Sequence, residues 1–232
     1  MQEMVANPVP LDPELAKYVY DQEDSVLGPC VKHPLVYSMM HVPMFNKMVN
    51  ESLRVKKIAV AEALKDEEWH SYVFLHERPW RVVAFQAIAD RMSDADYWRL
   101  LSTIWTDSEN IRENPRQWER LLKADRPDRH LIMKDHEREA LEAMDAVIPV
   151  YQGHTVRRHD GWSWTTDRWK AVWFGHRFAD LEQSRPALTT GHVRKSDVIA
   201  FFTARGESEI VVPRGKVKGK EVAELPPRSE TK

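Results

Sequence analysis

A single cysteine, Cys30, in 232 residues leaves no partner for an intrachain disulfide and excludes a four-cysteine metal cluster. Long apolar runs are missing too: none approaches the roughly 20 residues needed to cross a bilayer. The opening "MQEMVANPVPLDPE" has neither the basic start nor the apolar stretch of a secretory signal. These absences predict a cytoplasmic protein with no membrane partner. There is little net charge: 34 Lys and Arg against 36 Asp and Glu give -2, which supplies no global pull toward nucleic acid, although Arg157, Arg158 and "PRGKVKGK" can make local basic patches. GxGxxG, GxSxG and HExxH are all absent. "GKVKGK" has three residues between its glycines where a phosphate loop needs four, and Glu221 stands where Ser or Thr would hold magnesium. The ten histidines are scattered, and the closest pair in the second half, His154 and His159, lacks a third ligand at metal spacing. No metal is expected.

What is present has the balance of an ordinary globular protein, 42% hydrophobic and 30% charged, with length enough for one domain or two compact layers. The pattern changes near residue 146. Before it almost every segment reads as helix. Ser93, with Asp96 three residues on, caps a run in which Tyr97, Leu101, Ile104 and Trp105 share a face. Asn114 and Pro115 begin another helix, with Trp118, Leu121 and Leu122 as its buried stripe. Further helices are expected over 12–20, 44–65, 80–91 and 134–144. "HERPW" at 76–80 reads as a charged helix junction. After 146 come short apolar runs separated by turns, "AVIPVYQ", "GWSWTT", "ALTTGHV", "DVIAFF" and "EIVVP", interrupted by one helix, "DRWKAVWFGHRF". The expected fold class is α+β: a helical region over 1–145, a strand core over 146–213 and a flexible, charged tail over 214–232.

Within the strand half, Glu207 and Glu209 are two residues apart. On an extended backbone both carboxylates leave one face, about 7 Å apart. Taken alone, the pair is a solvated strand end that discourages aggregation. Ser163 and Thr165 likewise share a face, with Trp162 and Trp164 on the other. Trp169, Val172, Trp173 and Phe174 form an aromatic stripe at helical spacing, which reads as core. Gly153 is either a plain turn residue or a place where a ligand approaches the backbone closely, glycine having no side chain in the way.

The order "VYQG" (150–153), "SWT" (163–165), a helix with "AVWF" (171–174) and "ESEIVVP" (207–213) resembles the ADP-ribosyltransferases of the Arg-Ser-Glu class. That signature runs from an aromatic-Arg-Gly strand, through a Ser-x-Ser/Thr strand followed by a helix, to Glu-x-Glu leading an apolar strand. It looks particularly like such domains carried by bacteriophages and actinobacteria behind a helical N-terminal half, which for a phage protein would mean the host cytoplasm. The resemblance covers roughly residues 146–213 and implies a split β-sandwich with an embedded helix. It also implies NAD as substrate, no metal, and transfer of ADP-ribose to an arginine-like or other nucleophilic acceptor on a macromolecule, a protein or a nucleic acid.

By the same resemblance Glu209 would bond the 2′-hydroxyl of the nicotinamide ribose and Glu207 would face the acceptor, with Ser163 orienting Glu209 or the ribose. Tyr151, Gln152, Gly153, His154, Ser163, Thr165 and Arg168 would line the NAD site. The chain departs from the family at Gln152, which stands in place of arginine and cannot neutralise a diphosphate. Arg157, Arg158, Arg168 and His154 are the candidates to supply that charge. Two alternatives use the same residues: an NAD glycohydrolase with water as acceptor, and a degenerate nucleotide-binding or interaction module.

Overall fold

Ser93 caps the helix that the sequence marks most clearly. In a computed structural model, which describes residues 9–21, 28–109, 111–156 and 161–227 with every side chain there except that of Arg205, the Ser93 hydroxyl accepts the Asp96 N–H at 3.1 Å. The same hydroxyl donates to the Asp96 carboxylate at 2.6 Å. Arg157, Arg158 and His159 lie outside the described residues.

The chain divides into two units, Met1–Leu121 and Leu122–Lys232. The first contains α1 (Pro13–Ala16), β1 (Val19–Tyr20), β2 (Cys30–Lys32), β3 (Tyr37–Ser38), α2 (Asn46–Lys65), α3 (Trp69–Phe74), α4 (Arg81–Ile88), α5 (Asp94–Asp107) and all but the last residue of α6 (Pro115–Leu122). The two patterned helices bury what their spacing predicts: Tyr97, Leu101, Ile104 and Trp105 on α5, and Trp118, Leu121 and Leu122 on α6. Trp105 meets Trp118 edge to face at 5.1 Å between centroids, a favoured geometry for aromatic pairs. Residues 76–80 do form a charged junction: Glu77 pairs with Lys56 at 2.8 Å, and Arg78 with Glu109.

The helix expected over 12–20 stops at Ala16, and a three-stranded antiparallel sheet, β1-β2-β3, follows it. Burial decides this. Val31 and Leu15 join Leu35, Val36, Val49 and Leu53 in one apolar cluster, and a paired strand delivers Val31 to it where a continued helix would not. His33 is buried beside this cluster. Its Nδ1 accepts the Leu35 N–H at 3.1 Å, so Nε2 carries the proton that faces Glu14 at 3.3 Å. Burial holds the pKa of His33 below the usual histidine value, against the opposing pull of Glu14.

The second unit contains α7 (Asp135–Glu142), β4 (Val147–Thr155), β5 (Ser163–Thr165), α8 (Arg168–Glu182), β6 (Pro186–Arg194), β7 (Ala200–Phe202), β8 (Glu209–Val211) and β9 (Lys218–Glu224). Its strands make one six-stranded sheet in the order β7-β8-β5-β4-β6-β9, antiparallel at every pairing. Ile148, Val150, Trp164, Val193, Phe201 and Ile210 bury one face together with Leu141 of α7; α8 packs on the opposite face, through Gly153 of β4.

Two expectations change here. Residues 122–145, read with the helical region, belong to the second unit, because Leu141 and Glu137 of α7 are buried and Glu137 binds Thr203. The segment expected to be a flexible tail contains β9, paired with β6 from Ala187↔Glu224 to His192↔Lys218. Its residues are exposed and mostly charged, as befits an edge strand protected from further pairing.

Candidate functional site

One row of residues crosses the sheet. Cross-strand neighbours share a face, and the register places Phe202 opposite Glu209, Glu209 opposite Thr165, and Thr165 opposite Tyr151. Tyr151 and Glu209 are thus two strands apart, about 10 Å by ordinary strand spacing. Ser163, two residues before Thr165, faces the same way, and its hydroxyl donates to the carboxylate of Glu209. Serine and glutamate lie 46 residues apart in the chain and meet only because β5 pairs with β8. Glu209 is 6% exposed. A carboxylate this well buried keeps a fixed direction, and the serine bond fixes one of its oxygens.

Glu207 is arranged differently from the expectation. The strand begins at Glu209; Ser208 has φ +45, and Glu207 caps a short 3-10 turn with helical dihedrals. The simple alternation that would put both carboxylates on one extended face therefore does not apply. Thr165 holds this turn instead. Its hydroxyl donates to the Glu207 carbonyl at 2.6 Å and accepts the Asp167 N–H at 3.0 Å, so the side chain expected to touch NAD is committed to backbone. The Thr166 N–H adds a bond to the Ser208 carbonyl at 3.1 Å. Farther back, the buried carboxylate of Glu137 accepts the Thr203 N–H at 2.9 Å with one oxygen and the Lys134 N–H at 2.9 Å with the other. Glu137 braces the segment that carries Glu207, a role its sequence context, "KDHEREA", does not advertise.

Three more expected site residues serve the fold. On β4, Gln152 and His154 point to the face opposite Tyr151. The Gln152 amide donates to the Ser163 carbonyl at 2.7 Å and accepts the Gly161 N–H at 3.4 Å, tying β4 to the start of β5. His154 is 1% exposed, with one ring nitrogen at 2.6 Å from the Thr189 hydroxyl and the other at 2.7 Å from the Thr155 carbonyl. Both side chains are thus engaged by groups of the second unit itself. Gly153 is neither a turn residue nor a gap for a ligand. A Cβ there would lie 1.8 Å from the Ala171 carbonyl oxygen and 2.5 Å from the Gly175 nitrogen: the helix α8 crosses the strand at this point, and only glycine lets the two backbones approach so closely.

The face that α8 buries leaves out both tryptophans of the expected stripe, while its Val172 and Phe174 are half-buried. Ala171, Gly175 and Ala179 are its buried residues, while Trp169 is 75% and Trp173 43% exposed. A large side chain cannot enter a helix–strand contact already closed to a Cβ. Asp167 caps α8, its carboxylate accepting the Trp169 and Lys170 N–H groups at 2.8 and 3.1 Å. Arg168, exposed at the first position of the helix, follows directly on the Thr165–Glu207 link. Of the three arginines considered for a phosphate contact, it alone is among the described residues. Among the described residues no group of three His, Cys, Asp or Glu side chains is assembled to hold a metal, and no helix is long and apolar enough to cross a membrane.

Compared with protein-family models, with curated proteins and with solved structures, the chain matches none.

Proposed function

We propose that the protein is an NAD-dependent mono-ADP-ribosyltransferase whose sugar-stabilising group is Glu209. The observation that carries this reading is the bond from the Ser163 hydroxyl to the buried Glu209 carboxylate, across adjacent strands that hold two of the three motifs. The third motif strand, β4, lies on the other side of β5 and brings Tyr151 into the same row. A helix embedded between β5 and β6 of an antiparallel sheet is the part of the implied fold that supports the reading; the strands form one six-stranded sheet.

The chemistry asks for little. When the bond between ribose C1′ and the pyridinium nitrogen of NAD breaks, its electron pair leaves with nicotinamide, which becomes neutral and needs no proton. Positive charge develops on the ribose, as in glycoside hydrolysis. One carboxylate accepting a hydrogen bond from the 2′-hydroxyl answers that charge, and such preorganised electrostatics are worth roughly 3–4 kcal/mol of barrier. Ser163 keeps Glu209 oriented at no cost during reaction. Glu207, on a turn held by Thr165, would receive the acceptor nitrogen and take on its carboxylate the proton that this nitrogen loses as it bonds C1′. A guanidinium acceptor suits a carboxylate because the two can make paired bonds.

A second reading, a nucleotide-binding or interaction module without turnover, is favoured by Gln152, whose neutral amide is spent on the Ser163 carbonyl and Gly161. One assay separates the readings. Purified protein is incubated with NAD labelled in its adenosine half, and free nicotinamide and labelled macromolecule in host lysate are both measured. Nicotinamide with label transferred supports the transferase; nicotinamide alone makes it a glycohydrolase; neither, with NAD still bound, makes it a binding module.

A further inference from the structure

The outer face of α8 has a composition that packing does not explain. Trp169, Trp173 and Arg177 follow one line along the helix at four-residue spacing, about 200° around from the buried line Ala171, Gly175, Ala179. Both indoles are solvent-exposed, at 75% and 43%, although tryptophan is among the costliest side chains to leave in water. Each has a cation beside its ring: Arg168 lies 5.9 Å from the Trp169 centroid, and Lys170 and Arg177 lie 5.8 and 5.3 Å from that of Trp173. From Arg168 to Ala179 the helix carries no acidic residue, although Asp167 caps it and Asp180 and Glu182 stand in its last turn.

We infer that this face binds single-stranded nucleic acid. Exposed indoles one helical turn apart are platforms on which unpaired bases stack, and flanking Arg and Lys neutralise the phosphates between them; stacking of this kind tolerates any sequence because every base has a flat face. Duplex bases are already stacked and offer nothing to the indoles. An anionic membrane would accept the same charges, but it favours a continuous apolar wedge of aromatic and aliphatic side chains. The next exposed apolar residue, Leu181, is separated from the indoles by Arg177 and Asp180. The inference does not depend on sugar chemistry at Glu209.

Fluorescence anisotropy of a labelled oligothymidylate of about 12 nucleotides, titrated with the full-length protein, tests it. Binding is expected at low salt and should weaken at least tenfold when salt rises from about 50 to 200 mM. Trp169→Ala and Trp173→Ala should each weaken it roughly tenfold or more, with unchanged circular dichroism, since neither is among the buried residues of α8. Glu209→Gln should bind like the wild type, so failure of the NAD chemistry and failure of this surface are read separately. Absence of binding at low salt overturns the inference. So does binding that survives both tryptophan substitutions, which would reduce the face to a charge effect. Preferential capture by vesicles of mixed phosphatidylcholine and phosphatidylserine over the oligonucleotide would make it a membrane surface and overturn it as well.

Discussion

Gly153→Ala is the smallest change that distinguishes a packing role from a cofactor role at the position where the sequence left both open. The new Cβ would stand 1.8 Å from the Ala171 carbonyl oxygen and 2.5 Å from the Gly175 nitrogen. Both are backbone atoms of α8, so no side chain can swing aside. Restoring a normal separation moves the helix away by roughly 1.5 Å, and a gap of even 0.5–1 Å forfeits about a quarter to a half of each contact's attraction. That retreat loosens Ala171, Gly175 and Ala179 together, along with Leu225, whose side chain also packs at Gly175. Overpacking of this kind costs about 3 kcal/mol or more. The gain of up to about 1 kcal/mol from a stiffer unfolded chain does not offset it. For a chain of this length the melting temperature should fall by roughly 6–12 °C, read by thermal and urea denaturation of both proteins side by side. A variant that melts within a degree of wild type, yet binds NAD poorly, would refute the packing argument and return Gly153 to the ligand.

The remaining predictions concern the site, its brace and the first unit. Glu209→Gln should lower the rate of nicotinamide release by about 10²–10³ without lowering the melting temperature, and Ser163→Ala should lower it less, since the carboxylate remains; equal activity in Glu209→Gln and wild type would remove Glu209 from the mechanism. Glu137→Ala strips two backbone N–H groups, Thr203 and Lys134, of their acceptor, which should cost about 1–3 kcal/mol and reduce turnover by misplacing the turn that carries Glu207. Acid should destabilise the first unit. Burial lowers the pKa of His33, so as pH falls through the unfolded value of about 6.5 the unfolded chain binds the extra proton first, and stability falls as pH drops from 7 toward 5. Glu14, lowered chiefly by its hydrogen bond to Lys57, acts in the same direction at lower pH, but its exposure makes that effect small. His33→Asn, whose amide oxygen can take the Leu35 N–H, should flatten the decline of melting temperature between pH 7 and 5; an unchanged slope would clear His33.

Local rules were enough for part of the molecule. Ser93 and Asn114 announced two helices because a cap and a 3.6-residue apolar period are written within one turn of chain, and the strand runs from Val147 to Val211 showed because alternation needs only neighbours. The order of the motifs also made Ser163 and Glu209 candidates before their strands were known to touch. Tertiary structure alone decided the rest. Whether Gln152 and His154 serve a ligand or the fold depends on which face of β4 they occupy and on partners such as Thr189, 35 residues away. The inward line of α8 is set by Gly153 on another element, so the helix's own aromatic period pointed the wrong way. β9 has no apolar face to betray it and exists because β6 offers an open edge. Short-range pattern fixes what a segment can become; which side it buries, and against what, is a property of the partner it meets.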